Sequence, residues 1–298
     1  MRDGIYEVEA NSIKHWVKVE GAQHGTTPLV ILHGGPGGNH YTFEHTTGPL
    51  LSNTRTVVYY EQRGCGRSAM PPRDTDYRIE QLVSDFYSIK KWLRYEKVDL
   101  LGYSFGGELA LELAYSLPKE IGKLVLSGPS LLELKAGKLL QIAGFMSVAD
   151  IPILKKIDEL AIQGCSVLDL YEQVWNLVDY QTVDRLLFQN QEKARLNRSL
   201  WEESKLRNTG LMMEVLKNDP REAPLVDRLC QIKQEALIIA GIHDFNTGIP
   251  ISKIIHRHLQ NSRFQHFLQS AHFPDLEEPE KFVQTVQDFL NQEVLSEA

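Results

Sequence analysis

Long apolar runs are absent from this sequence. No stretch approaches the roughly 18 consecutive apolar residues of a membrane-spanning helix, so no bilayer span is expected. The opening residues, MRDGIYEVEANS, carry no apolar core of the kind a secretory leader needs, and a cytoplasmic location is expected. Basic charge is in deficit: Lys and Arg number 32 against 39 Asp and Glu, for a formal net charge of -7. Without a positive field to neutralise phosphates, a nucleic-acid partner is not expected. Cysteine is scarce. Cys65, Cys165 and Cys230 are an odd number without metal-ligand spacing, which points to free thiols in a reducing compartment. There is no internal repeat and no low-complexity segment.

What the chain has is a rhythm of short apolar runs. Its 298 residues, 42% of them hydrophobic, suffice for one large α/β domain or for a core domain plus a modest insertion. Residues 13–19 alternate in polarity as a half-buried strand does. LVILH at 29–33, TVVYYE at 56–61, VDLLGY at 98–103 and KLVLSG at 123–128 read as buried strands. Between the last two, 108–116 is rich in Leu and Ala and is closed by Pro118, as a buried helix would be. Strand, tight turn, buried helix, strand is the pattern of a mostly parallel sheet flanked by helices. From 131 to 223 strand character is lost and helical spacing takes over, as in IPILKKIDELAIQG. It returns with ALIIAG at 236–241 and FQHFLQ at 264–269. Residues 279–294 read as an amphipathic helix presenting Phe282, Val283, Val286, Phe289 and Leu290. The expected organisation is a core domain, 1–130 and 224–298, interrupted by a helical insertion over 131–223. Such an insertion would sit over the C-terminal strand ends, where these sheets bind ligands.

Gly102-Tyr103-Ser104-Phe105-Gly106 fits G-x-S-x-G, directly after an apolar strand and directly before a helix. The chemistry explains the spacing. A nucleophilic serine must project from a very tight strand-to-helix turn, and glycines two residues on either side let the neighbouring backbones pass closely. Upstream, the strand LVILH runs into His33-Gly34-Gly35-Pro36-Gly37-Gly38. Acyl transfer needs backbone N–H groups aimed at the tetrahedral oxygen. Phe105 can supply one and Gly35 the other, while Pro36 has no N–H to give. A phosphate-cradling loop is disfavoured, because neither Gly-Lys-Ser/Thr nor the G-x-G-x-x-G register follows. His33 precedes the nucleophile and reads as a brace for this loop.

Strand–elbow–helix sites place the remaining partners in the chain order Ser, acid, His. After ALIIAG comes Asp244, a carboxylate just beyond the end of a late strand. After the last strand comes His272, in the loop before the final helix. His256 and His258 fall in a helical segment and His266 within a strand, so His272 is the expected base, with Asp244 orienting it.

These motifs resemble the proline iminopeptidase family of the α/β-hydrolases. The resemblance rests on HGGPGG at 33–38, EQRGCGRS at 61–68, GYSFGG at 102–107, the G-x-x-D stretch at 241–244 and SAH at 270–272. It implies an α/β-hydrolase fold with a helical cap over 131–223, a triad of Ser104, Asp244 and His272, and an oxyanion hole from Gly35 and Phe105. It also implies that Arg63 and Cys65 belong to a structural turn. Two positions depart from the family. Its members bind the substrate's free amine with acidic residues, often including a glutamate after the catalytic aspartate, and here that position is Phe245. The aspartate before QRG is Glu61. Glu203 and Glu214 are the cap carboxylates that would replace the missing acid.

The expected activity is hydrolysis through an acyl-serine intermediate, first of all release of an N-terminal residue from a short peptide. An esterase or lactonase acting on a small uncharged acyl substrate is the alternative, motivated by Phe245. A binding protein on a hydrolase scaffold is a third reading, against which all three triad residues speak. No metal or organic cofactor is expected, since no His/Cys/Asp cluster has ligand spacing.

Overall fold

The computed structural model describes residues 1–134, 136–164, 166–206, 210–219 and 223–292. Cys165 lies outside them, as does the end of the segment read over 279–294. Cys65 is buried, Cys230 is exposed, and neither is in a disulfide.

Eight strands form one sheet: β1 (Gly4–Ala10), β2 (Ile13–Glu20), β3 (Leu29–Leu32), β4 (Val57–Tyr60), β5 (Val98–Tyr103), β6 (Ile121–Ser127), β7 (Ala236–Gly241) and β8 (Ser262–Phe267). Their order is β1-β2-β4-β3-β5-β6-β7-β8. β1 and β2 are antiparallel, β2 runs antiparallel to β4, and every later pairing is parallel. The runs read as buried strands are these parallel ones, and both of their faces are covered. On β3, Val30 and Leu32 join one apolar cluster while Leu29 and Ile31 join the other. This period-2 division of a continuous apolar run is what a sheet with helices on both sides demands.

Helices α1 (Tyr41–His45) and α2 (Thr47–Ser52) follow β3. Next come α3 (Ile79–Leu93) and then α4 (Phe105–Ser116), which starts immediately after Ser104. Between β6 and β7 the described residues form helices and no strand: α5 (Ala136–Val148), α6 (Ile151–Ile162), α7 (Val167–Leu177), α8 (Tyr180–Leu187), α9 (Gln191–Ser204), α10 (Gly210–Lys217) and α11 (Leu225–Arg228). The chain closes with α12 (Gly248–His258), α13 (Pro274–Glu277) and α14 (Pro279–Asn291). The expected helical insertion is therefore present as α5 to α10. It has an apolar cluster of its own around Ile142, Phe145, Ile157, Val174 and Leu186. Several of its helices start on built caps: Ser166, Asp179 and Asn190 each accept a backbone N–H of the first turn.

Strand order fixes where a ligand can enter. From β3 the chain moves to β4 on one side, then returns to β5 on the other. The crevice between the C-terminal ends of β3 and β5 is thus a topological switch point, the place where open α/β sheets bind ligands. HGGPGG leaves β3 there, and Ser104 leaves β5 there.

Candidate active site

Ser104 stands between β5 and α4 with φ 55 and ψ -123, a conformation that L-residues rarely adopt. The turn is pinned on both sides. The Ser104 N–H donates to the Ser127 carbonyl (2.9 Å), and the Ser104 carbonyl accepts from Gly107 (2.9 Å). Gly102 and Gly106 make room for it. A Cβ on Gly106 would strike the Leu32 carbonyl on β3, and one on Gly102 would strike the Gly106 carbonyl. Phe105 is the first residue of α4, so its N–H has no acceptor within the helix. Gly35 contributes a second backbone edge to the same space, at φ 125.

His33 braces this loop. Its Nε2 accepts from the Gln62 backbone N–H (3.1 Å), and Nδ1 then carries the proton and donates to the Gly34 carbonyl (2.9 Å). Burial pushes its pKa down to about 4, so it is neutral over the working pH range. Arg63 is committed elsewhere. It makes two bonds to Asp85 (2.6 and 2.7 Å) and one to the Asp76 carbonyl (2.7 Å), tying the EQRGCGRS turn to α3. Glu61 is held by Arg67 in the same turn.

His272 lies between β8 and α13, and its backbone N–H donates to the Leu187 carbonyl at the end of α8 (3.0 Å). The imidazole Nδ1 donates to Asp244 Oδ2 at 3.0 Å, and both side chains are buried. The other Asp244 oxygen accepts the backbone N–H groups of Asn246 (2.8 Å) and Thr247 (3.2 Å); Oδ2 also accepts the Thr247 hydroxyl (2.9 Å). Asp244 is therefore turn-former and imidazole partner at once. Burial pushes its carboxyl up, but His272 and these donors pull it down further, and it stays below the usual carboxylate range.

With Nδ1 protonated, His272 Nε2 is an acceptor, and in this structure the Asn246 side-chain N–H points at it (3.1 Å). The Asn246 amide oxygen accepts from Gln141 of α5 (3.0 Å), and the Gln141 oxygen accepts from the Trp175 indole of α7 (3.1 Å). The inserted helices thus reach the imidazole through three side chains. Nothing in the motif pattern announced Asn246, Gln141 or Trp175. Their link is made by packing.

Ser104, His272 and Gly35 face one cavity of about 410 Å³, roofed in part by Trp175 and Trp201 from the insertion. Glu203, Glu214 and Phe245 do not line it. Glu203 accepts the Tyr41 hydroxyl (2.9 Å) at the surface, and Glu214 is paired with Lys217 (3.2 Å) along one face of α10. Phe245 packs against the apolar cluster of the insertion, because its position in the turn after β7 faces α5. Among the described residues there is no group of three His, Cys, Asp or Glu placed to hold a metal, and no helix long and apolar enough to cross a membrane.

Comparison with known proteins agrees with this geometry. Residues 27–279 match the family model described as alpha/beta hydrolase fold. The chain is 28% identical over 288 residues to a proline iminopeptidase of Lactobacillus delbrueckii subsp. lactis, covering 92% of this chain and 94% of the relative. Among solved structures it superposes on a proline iminopeptidase-related protein of Thermus thermophilus with a TM-score of 0.79, at 22% identity over 97% of this chain and 98% of that one. An esterase from Exiguobacterium antarcticum superposes with a TM-score of 0.69, at 22% identity over 96% and 99% of the two chains. The elbow at the switch point, the parallel sheet and the family match over most of the sequence agree: the chain belongs to the alpha/beta hydrolase fold family.

Proposed function

We propose that this protein is a serine hydrolase working through an acyl-Ser104 intermediate on a small-molecule or short-peptide substrate. The observation that carries the reading is the 3.0 Å bond from His272 to Asp244, opening on the same cavity as a serine held at positive φ. Ser104 Oγ attacks the acyl carbon while His272 Nε2 takes its proton, the Asn246 N–H giving way to the serine hydroxyl. Asp244 remains a carboxylate and stabilises the imidazolium that forms. The N–H groups of Gly35 and Phe105 receive the developing oxyanion, helped by the positive end of α4. His272 returns the proton to the leaving amine or alkoxide, and the cycle repeats with water. The segment 131–223 acts as a cap on a core formed by 1–130 and 224–298.

Release of an N-terminal residue is the first substrate reading, supported by the relative named proline iminopeptidase. An ester or lactone of an uncharged acid is the second. It is favoured by Phe245 at the family's acidic position and by the placement of Glu203 and Glu214 away from the cavity. Labelling by a fluorophosphonate probe, lost in Ser104→Ala with a fall in turnover of about 10⁴-fold or more, tests the nucleophile. Prolyl and other aminoacyl chromogenic substrates run beside a panel of esters and lactones test the rest. Turnover of the esters alone would sink the aminopeptidase reading.

A further inference from the structure

The neutral imidazole of His272 has one acceptor nitrogen, and the reaction needs its lone pair for the Ser104 proton. In this structure that lone pair takes the Asn246 side-chain N–H at 3.1 Å. Asn246 and Ser104 therefore compete for the base. The direction of the Asn246 amide is set from the inserted helices. The Trp175 indole is a donor only, and it gives its N–H to Gln141 Oε1 (3.1 Å). The Gln141 NH₂ is left to face Asn246, where it meets the side-chain oxygen and the backbone carbonyl, each at 3.0 Å. The Asn246 NH₂ is thereby turned to His272, and reversing the amide would set it against the NH₂ of Gln141. A swing of this side chain would leave the acid in place, because Asp244 is held by the Asn246 backbone N–H (2.8 Å). Asn246, Gln141 and Trp175 are half-buried, and Asn246 and Trp175 line the cavity with Ser104.

We infer that Asn246 is a latch on the catalytic base, set by Gln141 and Trp175, and that these three residues favour substrates whose acyl chain reaches Trp175. The inference rests on the acyl-Ser104 reading and selects, within it, longer apolar acyl groups. Phe43, Leu187, Trp201 and Phe273 line the same cavity, so the chain it takes is apolar. A short acyl group leaves the hydrogen-bonded line intact, and His272 must shed Asn246 unaided. A longer chain packs against Trp175 and displaces the indole, which frees Gln141 to turn. The Asn246 amide then loses its orientation, and the Ser104 hydroxyl takes the lone pair. Binding energy from a remote part of the substrate is in this way realised at the reacting centre. Attack on the ester and attack of water on the acyl-enzyme both use His272 Nε2, so the latch acts on kcat whichever step is slower. Uniform apolar contact would act on KM instead.

The test is the kcat of p-nitrophenyl acetate, butanoate and octanoate on the wild-type protein, Gln141→Met and Asn246→Ala. Active sites are titrated with a fluorophosphonate, so partial misfolding of a variant does not imitate the effect. In the wild type, kcat should rise from acetate to octanoate by about fivefold, as release of one hydrogen bond predicts. Gln141→Met fills a similar space without either polar contact. It and Asn246→Ala should each raise kcat on acetate by about fivefold and on octanoate by less, which brings the ratio toward one. Equal kcat across the wild-type series, or an acetate kcat unchanged or lowered in either variant, overturns the latch and leaves the acyl-Ser104 reading standing. If the protein labels without turning these esters over, labelling rates by a small fluorophosphonate decide: about fivefold faster in both variants is expected, and equal or slower rates overturn the latch. Absence of turnover on all three esters, with no fluorophosphonate labelling, overturns the acyl-Ser104 reading and the latch with it.

Discussion

Ser104 carries its function in its backbone. A residue with a Cβ held at φ 55 and ψ -123 stores strain of about 1–3 kcal/mol, and the surrounding hydrogen bonds hold it there. Glycine takes that conformation freely. Ser104→Gly should therefore be inactive yet more stable than the equally inactive Ser104→Ala, by about 1 kcal/mol in chemical denaturation; equal stabilities would mean that the turn is unstrained. The same local demand explains why so much of the site could be read from sequence. An elbow needs a glycine at 106 to clear β3 and one at 102 to clear the Gly106 carbonyl at the start of α4, so those residues advertise the geometry. Asp244 and His272 were legible because chain order restricts where they can stand. Asn246, Gln141 and Trp175 were not. Each is an ordinary loop or helix residue, and only tertiary folding brings them into one hydrogen-bonded line.

The insertion shows a different limit. Its helical character was legible from periodicity, and α6 lies within the stretch IPILKKIDELAIQG that was read as helical. Which of its side chains meet the core was not legible, because packing between helices depends on crossing geometry that a single sequence does not encode. Phe245 is the clearest case. In sequence it is a missing acid; in space it is an apolar plug against α5, close to Gly144, Leu186 and their neighbours. Phe245→Glu would drive a carboxylate into that cluster without a partner. The expected outcome is a loss of stability of about 2 kcal/mol or more, earlier proteolytic nicking within 131–223, and no gain in prolyl substrate turnover. Aminopeptidase activity appearing in a variant of undiminished stability would instead make position 245 a substrate contact.

The sheet gathers the ionisable groups of the site into one buried layer, and this should govern how the fold responds to pH. His33, on the loop leaving β3, has its pKa pushed by burial from 6.5 to about 4, and His40 is driven down too, by burial and by the neighbouring His33. The unfolded chain binds those protons from about pH 6.5 downward and the folded chain refuses them, so stability falls as pH drops through that window. For His33 alone the effect is about 3 kcal/mol. Asp275, facing His272, Glu277 and Tyr103, runs the other way. Burial lifts its pKa from 3.8 to about 7, so its folded form gains relative stability as pH falls from 7 toward 4, by about 4 kcal/mol. The two effects oppose each other over the same interval, and the wild-type protein should show a shallow stability profile there. Asp275→Asn removes only the second. Its unfolding midpoint in urea should lie above that of wild type at pH 8, where wild type holds a buried ionised carboxylate. That advantage should shrink and vanish by about pH 4–5, leaving the variant with the steeper loss on acidification. Parallel profiles for the two proteins would show that Asp275 is ionised in the folded protein at little cost.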